Sequence, residues 1–110
     1  MNGYDRDRAI QYISSHMDRA WAKPFAGQLT AVLDAFITLD FQYMHLAGVL
    51  DEEGNRGENE YDEDEAFEEI LDGYLMNHPC SEERVMELAG LLDQYMEWQR
   101  AFLELTGLAE

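Results

Sequence analysis

Ile10, Ile13, Met17 and Trp21 recur three and four residues apart, the spacing that places side chains on one face of an α-helix. The pattern predicts a first helix from about Asp5 to Ala22, because Pro24 disfavours helical backbone at Lys23. From Pro24 or Phe25 a longer stripe begins, formed by Leu29, Val32, Phe36, Leu39, Tyr43, Leu46 and Leu50. Leu33, Ile37, Phe41 and Met44 lie beside it, so apolar side chains cover more than half of the circumference. This second helix is expected to be the central one.

After Leu50 the sequence turns to DEEGNRGENE, residues 51–60, which holds two glycines and no apolar side chain. With nothing to bury, it predicts a mobile acidic loop. Tyr61 leads into DEDEAFEEILDGYLM, where Phe67, Ile70, Leu71 and Tyr74 form one face. Acids crowd its first turn, which suits the positive end of a helix dipole and predicts a third helix from about Asp62 to Met76. In NHPCS, Pro79 restricts His78 and Ser81 is placed to cap a fourth helix. That helix runs to about Thr106, with a core face of Val85, Leu88, Leu92, Tyr95 and Phe102 or Leu103. Gly107 followed by Leu108 reads as a glycine C-cap with its hydrophobic contact.

Four helical patterns without strand-like alternation predict an all-α fold, a compact bundle of about four helices in one domain spanning residues 1–110. The fourth helix carries a further apolar band of Leu91, Trp98, Phe102 and Leu105. Either the first helix covers this band or a second copy does, which makes these four residues a candidate homodimer interface.

Charge changes the picture most. Lys and Arg number 7 against 24 Asp and Glu, a net charge of −17, where a small soluble domain carries roughly 2 to 8 in magnitude. Such a field disfavours nucleic acid and anionic membrane as partners and attracts basic proteins. The charge is also segregated. Residues 1–23 hold four bases and three acids, whereas residues 57–83 hold eleven acids and no Lys or Arg. Glu65, Glu68, Glu69 and Asp72 follow i, i+3, i+4, i+7, so they form a ridge opposite Phe67, Ile70 and Tyr74. A rise of ~1.5 Å per residue spaces such carboxylates comparably with nucleic-acid phosphates. The candidate partner-binding residues are Glu58, Glu60, Asp62, Glu63, Asp64, Glu65, Glu68, Glu69 and Asp72.

Other chemistry finds little support. The one cysteine, Cys80, fits a reducing compartment, and no apolar run approaches the ~18 residues of a membrane span, so a cytoplasmic location is expected. A calcium loop from Asp51 to Asp62 has the right outline. It places Arg56 at the tight-turn glycine position, Glu58 at the eighth position and the short Asp62 at the last. His16, His45 and His78 lie on separate elements without partners at zinc spacing. Cys80, beside a helix start and near His78, reads as an ordinary loop thiol rather than a nucleophile. No catalytic residue, metal site or cofactor is expected. Asp40 interrupts the apolar surface of the second helix, and if buried it needs a hydrogen-bonding partner such as arginine or tyrosine.

In size, helical content and the tract EGNRGENEYDEDEAFEE, the chain resembles the small acidic inhibitors of bacteriophages and mobile elements, which include anti-CRISPR proteins and other DNA mimics. The resemblance implies a non-enzymatic, stoichiometric inhibitor that fills the basic groove of a nucleic-acid-binding enzyme in the cytoplasm of a bacterial host. Two alternatives belong to other classes. One is a helical structural or regulatory module that self-associates through the Leu91–Leu105 band. The other is a magnesium-dependent nucleotide pyrophosphohydrolase resembling MazG. For that, Glu65, Glu68, Glu69 and Asp72 supply one acidic helix, but the second ExxD pattern fails, since Asp93 pairs only with Glu97 at four.

Overall fold

A computed structural model describes residues 3–108. They form five α-helices: α1 (Arg6–His16), α2 (Arg19–Ala22), α3 (Leu29–Leu46), α4 (Glu63–Asn77) and α5 (Glu82–Leu105), with one 3-10 turn at Lys23–Phe25. The described residues contain no strand, only a single antiparallel bridge between Leu50 and Arg56, so the all-α class holds.

The boundaries follow from local chemistry. Asp5 caps α1 through the Arg8 N–H, Asp62 caps α4 through the Glu65 N–H, and Ser81 caps α5 through the Arg84 N–H, each side-chain oxygen satisfying one of the helix's orphan donors. Gly107 closes α5 at φ 77°, and the Leu108 N–H reaches back to the Leu103 carbonyl at 2.9 Å. This is the six-to-one bond of a glycine-terminated helix.

Three boundaries differ from the pattern. The first predicted helix breaks in two, because Met17 turns to extended backbone and stays buried while Asp18 caps α2 through the Ala20 N–H. The second predicted helix is shorter at both ends. Phe25 lies in the 3-10 turn, and α3 ends in its own glycine cap, with Gly48 at φ 77° and the Val49 N–H bonded to Met44 O at 2.8 Å. Leu46, expected on the buried stripe, is therefore 90% exposed at the helix end, whereas Leu50 returns to the core from the loop.

The acidic segment after α3 is a hydrogen-bonded loop. The Asp51 carboxylate accepts from the Glu53 and Asn55 N–H groups, the Asn59 amide donates to Ala47 O, and the Gly57 N–H bonds Val49 O. Side-chain-to-backbone bonds of this kind let a polar segment order itself without an apolar core.

The core is built from α3 and α5, with α1 and α4 packed against them. Val32, Leu33, Phe36 and Ile37 of α3 meet Leu88, Leu91, Leu92 and Tyr95 of α5, joined by Ala9 and Ile13 of α1 and Ala66 and Ile70 of α4, all at 3% exposure or less. Each large side chain buried this way contributes ~1.5–3 kcal/mol. In the apolar band on α5, Leu91 and Phe102 are buried, and Trp98 is half-buried against Tyr12 and His16 of α1. Rings of α1 thus pack on Trp98 and Phe102 of the band. Leu105 alone of the four is open, at 70% exposure.

Candidate functional site

The acidic surface is assembled by two helices rather than one. Along α4, Glu63, Asp64, Glu65, Glu68, Glu69 and Asp72 are all exposed, opposite the buried Ala66 and Ile70. Beside them α5 presents Asp93 and Glu97. Glu63, Asp64 and Glu68 from α4, with Asp93 and Glu97 from α5, line one groove of ≈ 790 Å³ floored by Phe67 and Met96. Arg100 stands at this groove and donates to Glu63 Oε1 at 2.6 Å. The tract that has no base of its own thus receives one from α5. Asp62 is committed to capping α4, Glu60 lines a neighbouring pocket, and Glu58 is exposed on the loop outside both. Asp93 and Glu97 were the members missed from the sequence. Their spacing of four on a helix was visible, but nothing in the sequence indicated that α5 lies alongside α4.

Five carboxylates around one groove raise its negative potential above that of a single helix face, because low-dielectric walls focus the field. Among the described residues, no group of three or more His, Cys, Asp or Glu is placed to hold a metal ion. Of the four α4 carboxylates in the MazG-like pattern, Glu68 lines the groove with Asp93 and Glu97, whereas Glu65, Glu69 and Asp72 are not among its lining residues.

Next to the groove, and sharing Glu63, Met96 and Arg100 with it, is a second pocket of ≈ 580 Å³ between the 47–61 loop and the C-terminal half of α5. Its floor is polar. Asp40 is 1% exposed and accepts the Tyr61 hydroxyl at 2.6 Å on Oδ1 and the Tyr95 hydroxyl at 2.8 Å on Oδ2. Tyrosine partnership of the kind expected for Asp40 is therefore present. Burial pushes its carboxyl up to about 6, against the opposing effect of the two hydroxyl bonds. Burial, and then the neighbouring carboxylate, push the Tyr61 and Tyr95 phenols up as well. Gln99, 3% exposed, accepts the Tyr4 hydroxyl at 3.0 Å on Oε1, while its Nε2 is buried without a hydrogen-bond partner.

The histidines and the cysteine stay apart. His16 stacks on Tyr12, His78 stacks on Tyr74, and His45 and Cys80 are exposed. Among the described residues, no helix is long and apolar enough to cross a membrane. Compared with known proteins, the chain matches no family model, and neither a curated protein nor a solved structure is found to be similar to it.

Proposed function

We propose that this chain is a non-enzymatic acidic binding protein that inhibits a basic, nucleic-acid-binding partner in a bacterial cytoplasm by occupying its phosphate-binding groove. In this reading it acts as anti-CRISPR and other DNA-mimic inhibitors do. The observation that carries the reading is the pairing of Asp64 and Glu68 on α4 with Asp93 and Glu97 on α5 around one open groove, where Arg100 is held by Glu63. Two rows of carboxylates on parallel or antiparallel helices offer a basic groove what two rows of phosphates offer it. The exposed Glu65, Glu69 and Asp72 extend the same surface round α4.

The test is capture of nucleic-acid-binding proteins from a bacterial lysate on immobilised chain, with double-stranded DNA as competitor, at ~0.05 M and ~0.3 M salt. Wild type should retain basic proteins that DNA displaces, and retention should fall by at least about tenfold at the higher salt as surface ion pairs are screened together. The triple reversal Glu68→Lys, Asp93→Lys, Glu97→Lys should retain none of them while keeping its helical circular dichroism, since all three side chains are exposed. Equal retention by both proteins at both salts would sink the proposal.

A further inference from the structure

Two polar groups that line the ≈ 580 Å³ pocket between the 47–61 loop and α5 are incompletely matched within the chain. Gln99, 3% exposed, has its Oε1 occupied by the Tyr4 hydroxyl at 3.0 Å, while its Nε2 is buried and has no hydrogen-bond partner. A carboxamide nitrogen can only donate, and a donor left buried and unpaired is costly until an acceptor takes it up. Asp40, 1% exposed, is held by the Tyr61 hydroxyl from the loop and by the Tyr95 hydroxyl from α5, one helical turn before Gln99. Each of its oxygens accepts one of these bonds and keeps a second lone pair. The pocket thus carries a free donor and, close to it, a spare acceptor.

We propose that this pocket binds a small uncharged cyclic amide edge-on, its carbonyl oxygen accepting from Gln99 Nε2 and its ring N–H donating to the Asp40 carboxylate. The unpaired donor requires an acceptor, and charge selects among acceptors. Glu60, Glu63 and Glu104 line the pocket with Arg56 and Arg100, Arg100 is bonded to Glu63, and Asp40 adds a further acid. An anionic acceptor is therefore repelled where it would have to sit, the more so at a net charge of −17. A cation is drawn to these acids but brings no acceptor for Gln99. Among neutral groups, a ketone or ester satisfies Gln99 and offers Asp40 no donor, whereas an amide held cis in a ring carries acceptor and donor on one edge. Met44, Val49, Leu50, Leu103 and Leu108 supply apolar lining for the ring faces, and the volume lies within the ~300–1,000 Å³ of small-molecule sites. This site stands or falls independently of the acidic groove.

The experiment titrates the full chain with three probes of similar size and follows side-chain amide and backbone N–H signals by NMR. The probes are δ-valerolactam, δ-valerolactone, in which a ring oxygen replaces the N–H, and cyclopentanecarboxylate, an anion. The lactam should shift the Gln99 side-chain amide signals together with the backbone signals of Val49 and Leu103. It should bind on the order of tenfold more tightly than the lactone, the ratio expected for one buried hydrogen bond. The carboxylate should not bind. Gln99→Leu removes the donor and should lower lactam affinity about tenfold. Val49→Phe fills the pocket from the loop side and should lower it at least as much, so the outcome does not depend on one variant folding. Equal affinity for lactam and lactone would overturn the proposal, as would a titration that leaves the Gln99 amide signals in place. Carboxylate binding as tight as that of the lactam, or lactam affinity unchanged in whichever variant folds, would overturn it as well.

Discussion

Asp40 is the residue at which burial and chemistry conflict most. Its carboxyl is raised from an ordinary 3.8 to about 6, chiefly by desolvation, while the Tyr61 and Tyr95 hydroxyls act in the opposite direction. Between those two pH values the folded chain holds a proton that the unfolded chain has released. The contribution of Asp40 to stability is therefore greatest below the unfolded pKa and is lost as pH rises through about 6. The size of the loss is on the order of 3 kcal/mol. Asp40→Asn, which can still accept one hydroxyl hydrogen bond and donate another, should remove this slope and match or exceed wild-type stability at pH 7. Urea denaturation of both proteins from pH 4 to 8 measures it, and parallel stability profiles would contradict the assignment.

α3 and α5 end where glycine allows them to, at Gly48 and Gly107, and a further glycine holds the loop between α3 and α4. Gly57 packs against the backbone of the α3 cap, so that a Cβ there would overlap the Gly48 carbonyl oxygen. The neighbour is main chain and cannot rotate aside. Gly57→Ala should cost about 1–3 kcal/mol, the usual range for forced overpacking. It should also release the loop, seen as faster hydrogen exchange at the Gly57 and Asn59 amides, which bond Val49 and Gly48 carbonyls. Exchange unchanged from wild type would show that the loop does not depend on this contact. Gly90 is a related case within α5, where the Trp21 ring of α2 occupies the space of a side chain. Here the obstacle is a partly exposed ring that can shift, so no comparable loss is expected.

The whole molecule carries an excess of negative charge that its seven bases do not offset. Four of its seven bases lie in residues 1–23. Arg6 is bonded to Asp34 at 2.8 Å and Arg84 to Glu87 at 3.3 Å, leaving Asp64, Glu68, Asp93 and Glu97 together at the α4–α5 groove. Repulsion among like charges within about one Debye length is screened by salt, which shortens that length from ~30 Å at 0.01 M to ~8 Å at 0.15 M. Raising salt from ~0.02 to ~0.2 M should therefore raise the melting temperature. A fall over that range in differential scanning calorimetry would mean that attractive pairs such as Arg100 with Glu63 outweigh the repulsion.

The helical class, the caps at Ser81 and Gly107, the start of α4 and the acidic ridge were legible in the sequence, because each depends on residues within one or two turns of one another. Periodicity reports which residues share a face, and capping chemistry acts over three or four positions. The break at Met17 was not legible, since the apolar spacing runs through it without interruption and only docking of α2 onto α5 fixes the turn. Nor were the hydrogen bonds of the 51–60 loop, because low hydrophobicity signals the lack of a core but not the bonds that Asp51 and Asn59 make to the backbone. Two sequence-distant groupings were decided by tertiary structure alone. It set Asp40 among Tyr61 and Tyr95, which the chain separates by 21 and 55 residues. It also laid α5 against α4, so that Asp93 and Glu97 share a groove with Glu63, Asp64 and Glu68. Local patterns fix which face of a helix is apolar, and only the packing of those faces fixes which polar faces become neighbours.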